Sequence, residues 1–86
     1  MSRFVIVCVR DHVSGVYHQP MFFSNEAAAV RAFSNEVSRA ADDNLLYHNF
    51  ADFDLYRIGE YDGVNGSLSA ATAEILCHGR DVPRPA

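Results

Sequence analysis

Phe4-Val5-Ile6-Val7-Cys8-Val9 is an unbroken apolar run, rich in β-branched residues, set between Arg3 and Arg10-Asp11-His12. Six residues suit a strand and are too few for a core helix. Because the run does not alternate with polar residues, both faces of this strand are expected to be covered. That demand decides the fold. The rest of the chain offers one substantial helix, and one helix shelters only one face of a sheet.

Working outward, Asp11 to Gly15 supplies turn chemistry, and Val16 to Phe23 reads as a second strand making a hairpin with the first. Pro20 lacks a ladder donor, which favours an edge or a bulge there. Ser24-Asn25-Glu26 is a helix start, since a short polar side chain can accept from the free N–H groups of the first turn and Glu26 sits well in it. The helix is expected to run to about Ala40, burying Val30, Phe33, Val37 and Ala41, with Ala27 extending the stripe backward. Residues 42–52 carry Leu45, Leu46, Tyr47 and Phe50, too many large apolar groups for a polar linker, so this connection is expected to pack back on the core or on a partner.

Phe53 to Tyr61 reads as the third strand, ended by the turn Asp62-Gly63-Val64-Asn65-Gly66. Residues 67–79 admit either extended chain or a short helix; a hairpin back to a fourth strand containing Ile75-Leu76-Cys77 is the reading adopted. The expectation is one α+β domain over residues 1–79, a ββαββ-like antiparallel sheet of three to four strands with one amphipathic helix on one face. Residues 80–86, with Pro83 and Pro85, form a C-terminal tail. No internal repeat is visible.

The chain has 86 residues, enough for a single small core. It has seven Arg, no Lys and eleven acids, for a net charge of −4. Residues 1–41 hold four Arg against three acids and residues 42–86 three Arg against eight, so the charge is +1 in the first half and −5 in the second. Duplex binding draws on many phosphate contacts, and this balance argues against it. Phe4–Val9 is shorter than a secretory apolar region or a membrane span. A cytoplasmic protein without membrane contact is expected, with Cys8 and Cys77 as reduced thiols in preference to a disulfide.

Motifs of phosphate-binding loops, serine hydrolases and zinc proteases are missing, as are the paired histidines of rolling-circle nicking enzymes. A non-enzymatic chain without cofactor is expected. Cys8, His12, Cys77 and His78 offer zinc-ligand chemistry, but at spacings of no compact zinc module, so buried thiols and exposed imidazoles are the preferred reading. Asp52, Asp54, Glu60 and Asp62 could hold a hard cation, yet they cluster at the two ends of the third strand, where solvated carboxylates are ordinary. Strict alternation puts Phe53, Leu55, Arg57, Gly59 and Tyr61 on one face of that strand and Asp54, Tyr56, Ile58 and Glu60 on the other. Aromatics interleaved with Arg suit stacked bases of single-stranded nucleic acid, and suit a subunit interface equally. The low Arg count favours the interface, and the surplus of apolar strand surface favours a symmetric homodimer.

The run Pro20-Met21-Phe22-Phe23-Ser24-Asn25-Glu26-Ala27-Ala28-Ala29-Val30-Arg31-Ala32-Phe33, followed by Asp52-Phe53-Asp54-Leu55-Tyr56-Arg57-Ile58-Gly59-Glu60-Tyr61-Asp62, resembles the small nonstructural protein of Microviridae phages, gokushovirus type. The resemblance spans residues 3–66. It implies a protein labelled as DNA-binding, without catalytic residues, that assists single-stranded genome replication or packaging in the host cytoplasm. Two readings follow. In one, Arg31 and Arg57 of the shared motif, with Arg3, Arg10, Tyr56 and Tyr61, bind single-stranded phage DNA as a dimer. In the other, the acidic segment Asp42, Asp43, Asp52, Asp54, Glu60 and Asp62 makes the protein an adaptor for a basic replication or capsid component. Side-chain pairing is the plain structural role for these arginines, with Glu60, Asp54 or a neighbouring strand for Arg57 and Glu26 or Asn35 on the helix surface for Arg31.

Overall fold

In the computed structural model, which describes residues 2–84, the apolar run lies inside a nine-residue strand β1, Arg3–Asp11. It is followed by β2 (Val16–Tyr17), β3 (Met21–Phe23), the helix α1 (Glu26–Val37), a single helical turn α2 (Leu45–His48), β4 (Phe53–Asp62) and β5 (Ser67–His78). All pairings are antiparallel, in the order β2-β1-β4-β5, with β3 also alongside β1. This is the expected α+β architecture. The second strand of the reading is divided: His18-Gln19-Pro20 leaves the ladder between β2 and β3, as the missing donor of Pro20 requires. In the ambiguous 67–79 stretch Ser67–His78 is extended chain, and Gly79 opens a 3-10 turn.

Both hairpins turn on the same chemistry. In Asp11-His12-Val13-Ser14-Gly15 the Asp11 carboxylate accepts from the Val13 N–H at 3.0 Å, and the Gly15 N–H donates to the Asp11 carbonyl at 2.8 Å. Asp62-Gly63-Val64-Asn65-Gly66 repeats both bonds, at 2.9 and 2.8 Å. Gly15 (φ 76°) and Gly66 (φ 73°) take the left-handed conformation that closes each turn. The chain thus holds a D-x-V-x-G repeat that composition and periodicity do not reveal.

Asn25 caps α1, its side chain accepting from the Ala28 N–H at 2.8 Å. The helix ends at Val37, three residues before the expected Ala40. Ser38 turns its hydroxyl back to the Ser34 carbonyl (2.7 Å), and the buried Asn44 amide takes the Glu36 and Arg39 carbonyls at 2.8 and 2.9 Å. The Asn44 side-chain oxygen also accepts from the Leu46 N–H at 3.1 Å, so one side chain ends α1 and starts α2. The buried stripe is Ala29, Phe33 and Val37; Ala27, placed in the stripe by its spacing, is exposed.

The core lies between α1 and one face of the sheet. Val7 and Val9 of β1, Phe53 and Leu55 of β4, and Val82 from the end of the chain meet the helix stripe there, with Leu46 and Phe50 of the 42–52 connection packed against them. That connection returns to the core, as expected of its apolar content. Val82 is buried, and Arg84 lies 4.1 Å from both the Tyr47 and Phe50 rings, so residues 82–84 of the expected tail are docked; Pro85 and Ala86 lie outside the described residues.

One irregularity sets the geometry of the opposite face. Ile6 pairs Gly59 and Val7 pairs Arg57, which leaves Ile58 as an extra residue in β4. The alternation read from the sequence is therefore corrected at this point. Phe53, Leu55, Arg57, Glu60 and Asp62 share the helix side, while Asp54, Tyr56, Gly59 and Tyr61 share the other. Gly59 is needed because a Cβ there would collide with the Ser69 carbonyl of β5.

Candidate nucleic-acid interface

Cross-strand register brings Phe4, Ile6, Cys8 and Arg10 of β1 into line with Tyr61, Gly59, Tyr56 and Asp54 of β4 on the face away from α1. Phe22 stands opposite Ile6, and Tyr17 opposite Arg10. From β5 come Leu68, Ile75 and His78. Ile6 and Cys8 at the centre are buried, so the middle of β1 is covered on both sides as its composition demands. Among the described residues no helix does this on the second side. The cover is a frame of aromatic rings on the sheet itself.

The rings touch in sequence across the face. Phe4 lies 6.0 Å from Tyr61 and Phe22 lies edge-on to Tyr61 at 5.7 Å; farther along, Tyr17 lies edge-on to Tyr56 at 5.5 Å. The Arg10 guanidinium sits 5.3 Å from the Tyr17 ring centroid. Tyr17 is 46% exposed and Phe22 51% exposed, so π-surface remains open to solvent beside a cation. Such a platform can stack bases or pack against an apolar partner.

Charge is segregated between the two sides of the sheet. Asp11, Glu60, Asp62 and Glu74 all fall on the helix side by their pairings. Among the strand acids only Asp54 falls on the aromatic face, where it is buried and its Oδ1 lies 2.9 Å from His78 Nδ1. The net charge of the chain therefore does not describe this face.

Of the residues proposed for DNA, the sheet brings Arg10, Tyr56 and Tyr61 together and separates the other three. Arg57 is on the helix side, its guanidinium 3.5 Å from Glu60, the partner expected of it, and 3.4 Å from Glu26, the partner expected of Arg31. Arg3 is on the same side, 3.8 Å from Glu60. Arg31 is exposed on α1. Phe4, Tyr17, Phe22 and His78 join the face without having been singled out. Continuing the β1 parity through Phe4-Ile6-Cys8-Arg10 would have found the first, but the Ile58 bulge hides the alignment of Tyr56 with Tyr61.

The six acids of the adaptor reading do not form one surface. Asp42 and Asp43 are exposed before α2, Asp52 ends the turn before β4, Asp54 is on the aromatic face, and Glu60 and Asp62 are on the helix side. Cys8 and Cys77 lie on opposite sides of the sheet, opposite Tyr56 and Leu55 respectively, and both are free thiols. Burial raises the pKa of each; at Cys77 a hydrogen bond with Ser34 opposes the rise and Asp81 and Asp54 add to it. His12 Nε2 donates to the Ala51 carbonyl at 2.7 Å. Among the described residues no group of three His, Cys, Asp or Glu side chains could hold a metal ion, and no helix is long and apolar enough to cross a membrane. A cavity of about 580 Å³ opens on the helix side, lined by Pro20, Met21, Phe23, Ala32 and Leu46 with His18 at its edge.

The sequence profile of a family described as Phage ORF5 protein matches residues 4–82, nearly the whole chain, and the chain belongs to that family. No curated protein and no solved structure matches it.

Proposed function

We propose that this member of the Phage ORF5 protein family is a non-enzymatic protein of the Microviridae type that binds single-stranded DNA as a homodimer. Its role is in genome replication or packaging in the host cytoplasm, and it uses the sheet face turned away from α1. The observation that carries the reading is the open row of Phe4, Tyr17, Phe22, Tyr56 and Tyr61 beside Arg10, from which every strand acid except the buried Asp54 is turned away. Base stacking on such rings contributes about 1–3 kcal/mol per base and needs few phosphate contacts, which is consistent with a chain so poor in cations.

Fluorescence anisotropy of a labelled single-stranded oligonucleotide tests this. Two Arg10 side chains per dimer give a log–log salt slope near −1.4, or about sevenfold weaker binding between about 50 and 200 mM salt. Tyr17→Ala and Arg10→Ala are expected to abolish measurable binding, while Arg57→Ala, on the other side of the sheet, leaves it in place. Absence of binding at the lower salt overturns the reading in favour of an adaptor that contacts a basic viral protein.

A further inference from the structure

The two edges of the sheet are built differently. On one, β2 and β3 are two and three residues long and are interrupted at Pro20, a combination that prevents further strand pairing. On the other, β5 runs for twelve residues, pairs only with β4 among the described residues, and is exposed from Ser67 through Ile75. Soluble proteins blunt such an edge with Lys, Pro, inward charges or bulges, and of these the Ser67–Ala73 stretch has only the irregularity at residues 71–73. Ser67-Leu68-Ser69-Ala70-Ala71-Thr72-Ala73 contains no charge, no Pro and no Gly.

We infer that β5 pairs antiparallel with β5 of a second copy, making one continuous sheet across a two-fold axis. The inference rests on the dimeric reading above and names its interface. The occupant is set by chemistry: an unguarded edge presents alternating N–H and C=O groups that another strand satisfies, and an identical strand satisfies them symmetrically. The register follows from the side chains. Pairing Leu68 with the partner's Ile75 places both, 67% and 42% exposed in the single chain, on the aromatic side and shelters each with the other. It sets Glu74 against the partner's Ser69 and not against its own copy. It also sets the irregular residues 71–73, where β5 departs from the β4 ladder, against residues 70–72 of the partner, so the two irregular stretches overlap. Edge pairing leaves both aromatic faces open and side by side, whereas stacking the sheets would bury them.

The mass in solution and a register-specific cross-link test this together. The wild-type chain at about 100 µM, where micromolar association is complete, is expected to scatter as twice 9.6 kDa, and Thr72→Lys to scatter as a monomer with an unchanged far-ultraviolet spectrum. On a Cys77→Ser background, an oxidised mixture of Leu68→Cys and Ile75→Cys chains is expected to form a mixed disulfide. Each alone does not, because identical positions then lie about 20 Å apart. A wild-type monomer overturns both this interface and the dimeric reading. A dimer that survives Thr72→Lys and forms no mixed disulfide overturns the interface alone. The cross-link decides the matter by itself if Thr72→Lys does not fold.

Discussion

His78 Nδ1 stands 2.9 Å from Asp54 Oδ1 across the β4–β5 ladder, and it is the side chain that meets the one strand carboxylate buried on the aromatic face. The carboxylate is held with little access to water, so its stability depends on that partner. His78→Ala is expected to destabilise the fold by about 1–3 kcal/mol in urea titration, since it strands the Asp54 charge. Replacing both residues with apolar ones is expected to recover most of the loss, because no buried charge is then left alone. Equal losses in the single and double variants would refute this account of the pair.

Asn44 makes a second testable junction. Its amide donates to two carbonyls at the end of α1 and its oxygen accepts from α2, all from a nearly buried position. Asn44→Ala leaves the Arg39 carbonyl without its donor and the Glu36 carbonyl with only the Arg39 N–H at 3.2 Å, and is expected to cost about 2–3 kcal/mol. Asn44→Asp keeps the acceptor and loses both donors, so it is expected to be no better than Ala. Thermal unfolding of the two variants separates the donor role from simple capping, for which Asp would suffice.

What the sequence disclosed, and what it withheld, has a physical basis. Phe4–Val9 marks a strand, Asn25 a cap, and Asp62 to Gly66 a turn, because each depends on neighbours within a few residues; the second cover of β1 comes from rings on β2, β3 and β4, which no local pattern shows. Beyond Arg57 the faces of β4 are the reverse of strict alternation, since one extra residue in a ladder reverses every side chain after it and leaves no mark in apolar periodicity. The same cause placed Arg57 with Tyr61, when Arg57 belongs to the ion pairs with Glu26 and Glu60. Ala29, not Ala27, leads the buried helix stripe, because Ala29, Phe33 and Val37 recur at four-residue spacing on the face that meets the sheet.

Gly59 is the residue on which the bulge depends. Gly59→Ala drives a methyl group into the Ser69 carbonyl, so the β4–β5 ladder must open where the aromatic face is aligned. The expected loss is about 2–3 kcal/mol, as for overpacking at a site that cannot relax. Amide exchange is expected to accelerate first at Tyr61 to Ser69, with β1–β4 amides near Leu55 protected. Uniform acceleration along β4 would show that the bulge does not localise the strain.

The thiols give a prediction with a definite sign. Burial raises the pKa of Cys8, and burial with the nearby Asp81 and Asp54 carboxylates raises that of Cys77, so both ionise later in the folded chain than in the unfolded one. The folded state therefore binds these protons more tightly. Their contribution to stability is complete below the unfolded thiol pKa, about 8.5, and is lost as the pH climbs through the folded values. Urea midpoints are expected to fall between about pH 8 and 10, and a Cys8→Ala, Cys77→Ala chain to lose the part of that fall due to thiol ionisation. Iodoacetamide at neutral pH is expected to leave Cys8 unmodified in the native protein, because its sulfur lies under the aromatic frame and is held as the unreactive thiol. Rapid native labelling of Cys8 would mean that the frame opens, and would place the aromatic face among the mobile parts of the molecule.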